Sequence, residues 1–134
     1  MENNKIYERI EQYAKEIEED TSIDIVNLRD KQFSSPQTKH KWLYKMTMEK
    51  KRLLELYEKK DQIMVTKNID NPLQLSRAAM KAKADKDDDV IELNKEIKKQ
   101  ELLVEYLDAA VNKIFSQMGF DFKNLVELIK MEQL

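Results

Sequence analysis

The stretch KHKWLYKMTMEKKRL, residues 39–53, gathers six positive charges around the chain's single Trp and single His. Lysine and arginine at this density can neutralise phosphates, and an aromatic ring among them can stack on a base, so the pattern fits single-stranded nucleic acid. On a helix turning 100° per residue, Lys41, Lys45, Arg52 and Lys59 fall within about 40° of one another, a stripe able to follow a phosphate backbone. Leu43, Met46, Leu53, Leu54, Tyr57 and Met64 centre about 140° away, so packing that apolar face is expected to leave the basic stripe outward. Trp42 or Tyr44 could stack bases, although Trp42, about 100° round, is equally well placed for the edge of a core. The competing reading is a solvated helix face in which Glu55 and Asp61 pair with neighbouring lysines.

Other chemistry finds little support. One His, no Cys and one Gly leave no phosphate-cradling glycine loop, no zinc-ligand spacing and no His-activated nucleophile, so the chain is not expected to be an enzyme. His40, at the start of a lysine-rich helix, is read as a solvated side chain. The acidic run DKDDD, residues 85–89, places aspartates at alternate positions but lacks the glycine that a calcium loop needs at its sixth position. Asp89 followed by Glu92 is better read as a capping-box-like helix start, where negative charge is favourable. No metal and no cofactor are expected.

These residues need elements to position them, and the composition specifies helices. The chain has 134 residues, 37% of them charged, with one Gly and two Pro, so turns are few, and the apolar residues recur at helical spacing. The expected fold class is all-α: long antiparallel helices, or a helical hairpin with a coiled-coil-like seam, in a single domain over 1–134. An acidic helix over 1–20 carries Ile6, Ile10, Tyr13 and Ile17 on one face. A short apolar segment follows, helical from Asp24, with Ile25 and Leu28 inward. Ser35 before Pro36 reads as the N-cap of the basic helix, 36–67. Residues 68–89 form a linker or short helix, with Asn71 and Pro72 starting it. The helix over 90–118 ends at Gly119 in a left-handed C-cap, and Asp121 caps a final helix over 121–132.

The helix over 90–118 carries the most regular pattern. Alternating steps of 3 and 4 give Val90, Leu93, Ile97, Gln100, Val104, Leu107, Val111, Ile114 and Met118, a coiled-coil seam whose one polar member, Gln100, is of the type that fixes register or oligomer state at some cost in stability. Helices of about 30 residues extend about 45 Å, longer than the diameter of about 36 Å expected of a compact domain of this size. Burying the eight apolar seam residues most simply takes neighbouring chains, so a homo-oligomer is expected.

Charge is segregated: residues 1–20 hold three basic and seven acidic groups and residues 87–134 six and eleven, whereas residues 36–86 hold thirteen basic and six acidic. A basic middle between acidic ends underlies the net charge of -2. No apolar run suggests a signal peptide or a membrane span, so a soluble cytoplasmic protein with no membrane role is expected.

In order and spacing, DTSIDIVNL, HKWLYKMTMEKKRLL with its KWLxK element (Lys41, Trp42, Leu43, Lys45) and EKK continuation, MKAKADKD, and the long helix ending in MGF resemble the UvsY-like recombination mediators of T-even-like phages, from about Asp20 to Phe122. The resemblance implies a non-enzymatic accessory protein in the cytoplasm of the infected host cell, a hexamer or heptamer. It would bind single-stranded DNA and help load a RecA-like phage recombinase onto strands covered by the phage single-stranded DNA-binding protein. The family's basic motif would fall at MVTKN, residues 64–68, where Val65 replaces an expected lysine and Lys67 keeps the charge. The implied DNA-binding set is therefore Lys41, Lys45, Lys51, Arg52, Lys59, Lys60 and Lys67, with Trp42. The alternative is a coiled-coil scaffold or adaptor without nucleic-acid binding.

Overall fold

The computed structural model describes residues 2–67 and 76–133, so Asn71, Pro72 and Asn68 of MVTKN lie outside the described residues. The described residues form five α-helices, α1 (Glu2–Thr21), α2 (Leu28–Thr66), α3 (Arg77–Lys86), α4 (Asp88–Ala109) and α5 (Phe115–Glu132), and a π-helical turn, Ala110–Ile114, joins α4 to α5. No strand occurs among the described residues. Contacts of α2 with both α1 and α4 show its direction. Tyr13 and Asp20 of α1 meet Glu49 and Trp42 of α2, and Gln100 of α4 also meets Glu49 while Phe115 stacks on Trp42. Helix α2 therefore runs antiparallel to α1 and to the α4–α5 rod.

The chain enters α2 through a reciprocal turn. Asp24 Oδ1 accepts from the Asn27 N–H and Asn27 Oδ1 from the Asp24 N–H, each at 2.8 Å, the exchange that defines a capping box. Helix α2 thus starts at Leu28, before the expected Pro36, and runs for 39 residues, about 58 Å. Pro36 lies within it, on the exposed side, where the lost hydrogen bond opens to water rather than to the core. Leu28 is buried as expected, but Ile25 is exposed.

One core joins α1, α2, α4 and α5 through Ile6, Ile17, Trp42, Met46, Leu103, Leu107, Phe115, Met118 and Phe122. The seam expected to seek a neighbouring chain is largely consumed here: Val90, Leu93, Ile97, Gln100, Leu107 and Met118 are all buried within the single chain. The register also departs from the 3-and-4 pattern. Leu103, Ala110 and Phe115 are buried, whereas Val104 and Val111 are half-buried and Ile114 is 40% exposed. The shift begins at Leu103, which follows buried Gln100 by three residues rather than four; the π turn then adds a step of five from Ala110 to Phe115 and turns Phe115, rather than Ile114, inward.

Gly119 does not end a helix. It lies exposed inside α5 with open space where a Cβ would stand. Phe115, Met118 and Phe122 continue the buried stripe past it, so packing outweighs glycine's helix penalty of about 1 kcal/mol. Asp121 accordingly caps nothing. At the other end of the rod, Asp87 is the N-cap of α4, accepting from the Val90 N–H at 3.1 Å. The acidic run thus caps the helix as expected, two residues earlier than Asp89.

A polar knot fixes the crossing of α1, α2 and α4. Glu49, 1% exposed, accepts from Gln100 Nε2 at 2.7 Å, Tyr13 Oη at 3.1 Å and Arg9 at 3.4 Å, and from Arg52. Gln100 Nε2 also donates to the Glu49 carbonyl at 2.9 Å. A buried carboxylate is tolerable when its lone pairs and charge are answered in this way. Gln100 therefore sets register inside one chain.

Candidate nucleic-acid interface

The stripe on α2 divides according to what α1 sets against it, acids beside Lys41 and Lys45 and cations beside Arg52 and Lys59. Lys41 donates to Asp20 at 2.6 Å and to Glu16 at 3.2 Å, and Lys45 holds both Glu16 oxygens at 2.9 and 3.0 Å. Both ammonium groups also lie over the Trp42 ring, at 5.3 and 4.9 Å from its centroid. Trp42 is 0% exposed. Its Nε1–H donates to Asp20 Oδ2 at 2.7 Å, and its ring stacks on Phe115 at 6.0 Å. A base cannot reach it, so Trp42 is a core residue. The outward stripe is likewise corrected: its upper half faces α1, while Leu43, Leu54 and Tyr57 of the supposed inner face are exposed. The cause is tertiary, since the acids of α1 answer the lysines and hold that side of α2 against it.

These pairings move titration in a consistent direction. Hydrogen bonding from Lys45 holds the Glu16 carboxyl below its ordinary range. Burial pushes the Asp20 carboxyl up, but hydrogen bonds from Lys41 and Trp42 outweigh it and leave Asp20 below its ordinary range too. The acidic N-terminal helix thus spends part of its charge inside the chain.

Further along α2 the cations are differently placed. Arg52 is half-exposed and paired with Glu49 one turn away. Lys51 and Lys59 are exposed and Lys60 is half-buried, and none of the three has an ion-pair partner among the described residues. Lys67 donates to Asp87 at 2.9 Å and to Asp89, a surface pair of the kind that contributes little to stability and that another anion can displace.

Two clefts open along this half. One, of about 410 Å³, brings Lys5 and Arg9 of α1 to Arg52 and Lys59, with Glu55 and Glu96 also on its wall. The other, of about 540 Å³, lies between α2 and α3 with α4 as its floor, and gathers Tyr57 and Lys60 with Arg77 and Lys81. The sequence reading did not single out Arg77 and Lys81. The available signal was spacing: Tyr57, Lys60 and Met64 on α2, and Arg77, Met80, Lys81 and Ala84 on α3, both follow the i, i+3, i+4, i+7 template of one helix face. Among the described residues no group of acidic or histidine side chains could hold a metal ion, and no helix is long and apolar enough to cross a membrane.

An antiparallel helical hairpin with a third helix laid along it is an arrangement found in a solved phage protein. The crystal structure of the bacteriophage T4 recombination mediator protein UvsY matches this fold with a TM-score of 0.78 at 21% sequence identity, covering 92% of this chain and 98% of that one. No curated protein gives a significant match. The family model described as "Recombination, repair and ssDNA binding protein UvsY" matches residues 16–133, and the chain belongs to that family.

Proposed function

We propose that this chain is a phage recombination mediator that binds single-stranded DNA as a homo-oligomer and promotes loading of a RecA-like recombinase onto strands covered by single-stranded DNA-binding protein. The observation carrying this reading is the family match over residues 16–133. The unpaired cations Lys51, Lys59 and Lys60 supply phosphate contacts, and Lys67 joins them when a phosphate displaces Asp87 and Asp89. Repetition of this surface in a ring of six or seven copies would join it into a continuous cationic track. With most of the seam inside one chain, contacts between copies fall to the apolar side chains left exposed, such as the seam's Ile114 with Phe120, Leu128 and Met131 on the rod and Leu54 on α2. In the infected cell the protein would act in recombination, repair and recombination-dependent replication.

The scaffold alternative draws on one observation, the neutralisation of Lys41 and Lys45 within the chain. Affinity for oligo(dT) measured against salt separates the two. Four to six phosphate contacts give a log-log slope of about -3 to -4. Absence of binding at low salt would leave the scaffold.

A further inference from the structure

The cleft between α2 and α3 has the chemistry of a nucleotide site. One wall presents Tyr57 and Met64, two turns apart on either side of Lys60; the other presents Met80 between Arg77 and Lys81. Val90 and Asn94 of α4 lie at its base, where Ala84 and Val90 form a small apolar cluster with Ile63 and Met64. Tyr57 is 38% exposed, and its hydroxyl donates to Glu101 Oε1. The hydroxyl is therefore tethered to α4 while the side chain stays partly open to the cleft. Lys60, Arg77 and Lys81 make no ion pair or hydrogen bond among the described residues. Two carboxylates, Asp61 and Asp85, also line the cleft, so the cations outnumber the acids by one.

We infer that this cleft binds a nucleotide unit of a single DNA strand, with the base against Tyr57 and the two methionines and the flanking phosphates on Lys60, Arg77 and Lys81. The inference rests on the single-strand-binding reading above and locates it. The volume of about 540 Å³ lies in the range of about 300–1,000 Å³ typical of small-molecule sites. A planar base suits an aromatic face beside polarizable thioethers, since stacking is tolerant of sequence because every base offers a π-face. An acidic polypeptide would satisfy the cations but leave the ring and sulfurs without a flat partner. The site lies below the Lys41–Lys45 stretch, so the strand would meet the molecule where α1 has no acids to offer.

The test measures fluorescence anisotropy of labelled oligo(dT) with the full chain over a range of NaCl concentrations. Replacing the exposed pair, R77A/K81A, removes two phosphate contacts and lowers the log-log salt slope by about 1.4, at 0.7 per contact. Y57A weakens binding about tenfold, and Y57F, which keeps the ring, restores it. The pair K98A/K130A, exposed on the α4–α5 rod, leaves the slope unchanged. Circular dichroism reports whether each variant keeps its helices. If the unaltered chain binds oligo(dT) and R77A/K81A binds with the same slope, the cleft is not the site, although the reading it rests on survives. A control pair as damaging as R77A/K81A also overturns the cleft, as does polyglutamate that competes as well as unlabelled oligo(dT). An unaltered chain that does not bind oligo(dT) overturns both inferences.

Discussion

The two halves of α2 carry similar lysines and use them differently. Lys41 and Lys45 face α1, where Glu16 and Asp20 hold them within 3.2 Å, and their charge fastens one helix to another around a buried tryptophan. Lys59 and Lys60, four to five turns further on, find no such partner and stand beside clefts that contain Arg9, Arg77 and Lys81. Both pairs stand on one continuous helix. What differs is the sequence of the helix packed opposite, so a lysine stripe becomes structural or available for phosphate according to its tertiary neighbour.

Breaking the structural half should have the largest effect. Trp42 fills the centre of the core and donates to Asp20, so Trp42→Ala is expected to cost about 3–5 kcal/mol in a urea or guanidinium unfolding experiment, the range for a buried aromatic. A loss below about 1 kcal/mol would mean that α1 does not pack there. The same half should respond to acid. Glu16 and Asp20 have lowered carboxyl pKa values in the folded chain, so their contribution is present above the unfolded carboxylate range of about 4. It is lost as pH falls through the lower folded values. Thermal midpoints measured from about pH 5 down to about pH 2 should therefore fall less steeply in a Glu16→Gln variant. A smaller gain sharpens the view of the rod. Gly119→Ala, with open space for the added methyl, should raise stability by up to about 1 kcal/mol. A helix that ended at Gly119 would be destabilised instead.

Much of this architecture could be read directly. The helical class, the buried stripe through Val90, Leu93, Ile97 and Leu107, the end of the basic helix near Lys67 and the capping role of the acidic run all follow from local patterns, and local patterns act through backbone geometry. The departures share a cause. Pro36 and Gly119 are helix breakers by propensity, yet both are carried inside long helices: Pro36 on the exposed side, where the lost hydrogen bond opens to water, and Gly119 beside buried Phe115, Met118 and Phe122, whose packing outweighs a local cost of about 1 kcal/mol. The seam shifts by one residue at Leu103 and again through the π turn at Ala110–Ile114, and no feature of the heptad pattern announces either step. The inward face of α2 was misread for the same reason. Its apolar residues outline one side, but the decisive contacts are charged and lie on α1, about 20–40 positions away in sequence. Of the candidate site, Lys59 and Lys60 were legible as available cations; Arg77 and Lys81 gain meaning only when α3 folds back against α4.

The central claim is the division of labour along α2. Its most direct test is the salt dependence of oligo(dT) affinity for K59A/K60A beside K41A/K45A, each checked for helix content and unfolding. The account predicts that K59A/K60A lowers the log-log slope by about 1.4 with stability within about 0.5 kcal/mol of the parent, whereas K41A/K45A lowers stability and leaves the slope unchanged. A slope that falls with K41A/K45A and holds with K59A/K60A would contradict it.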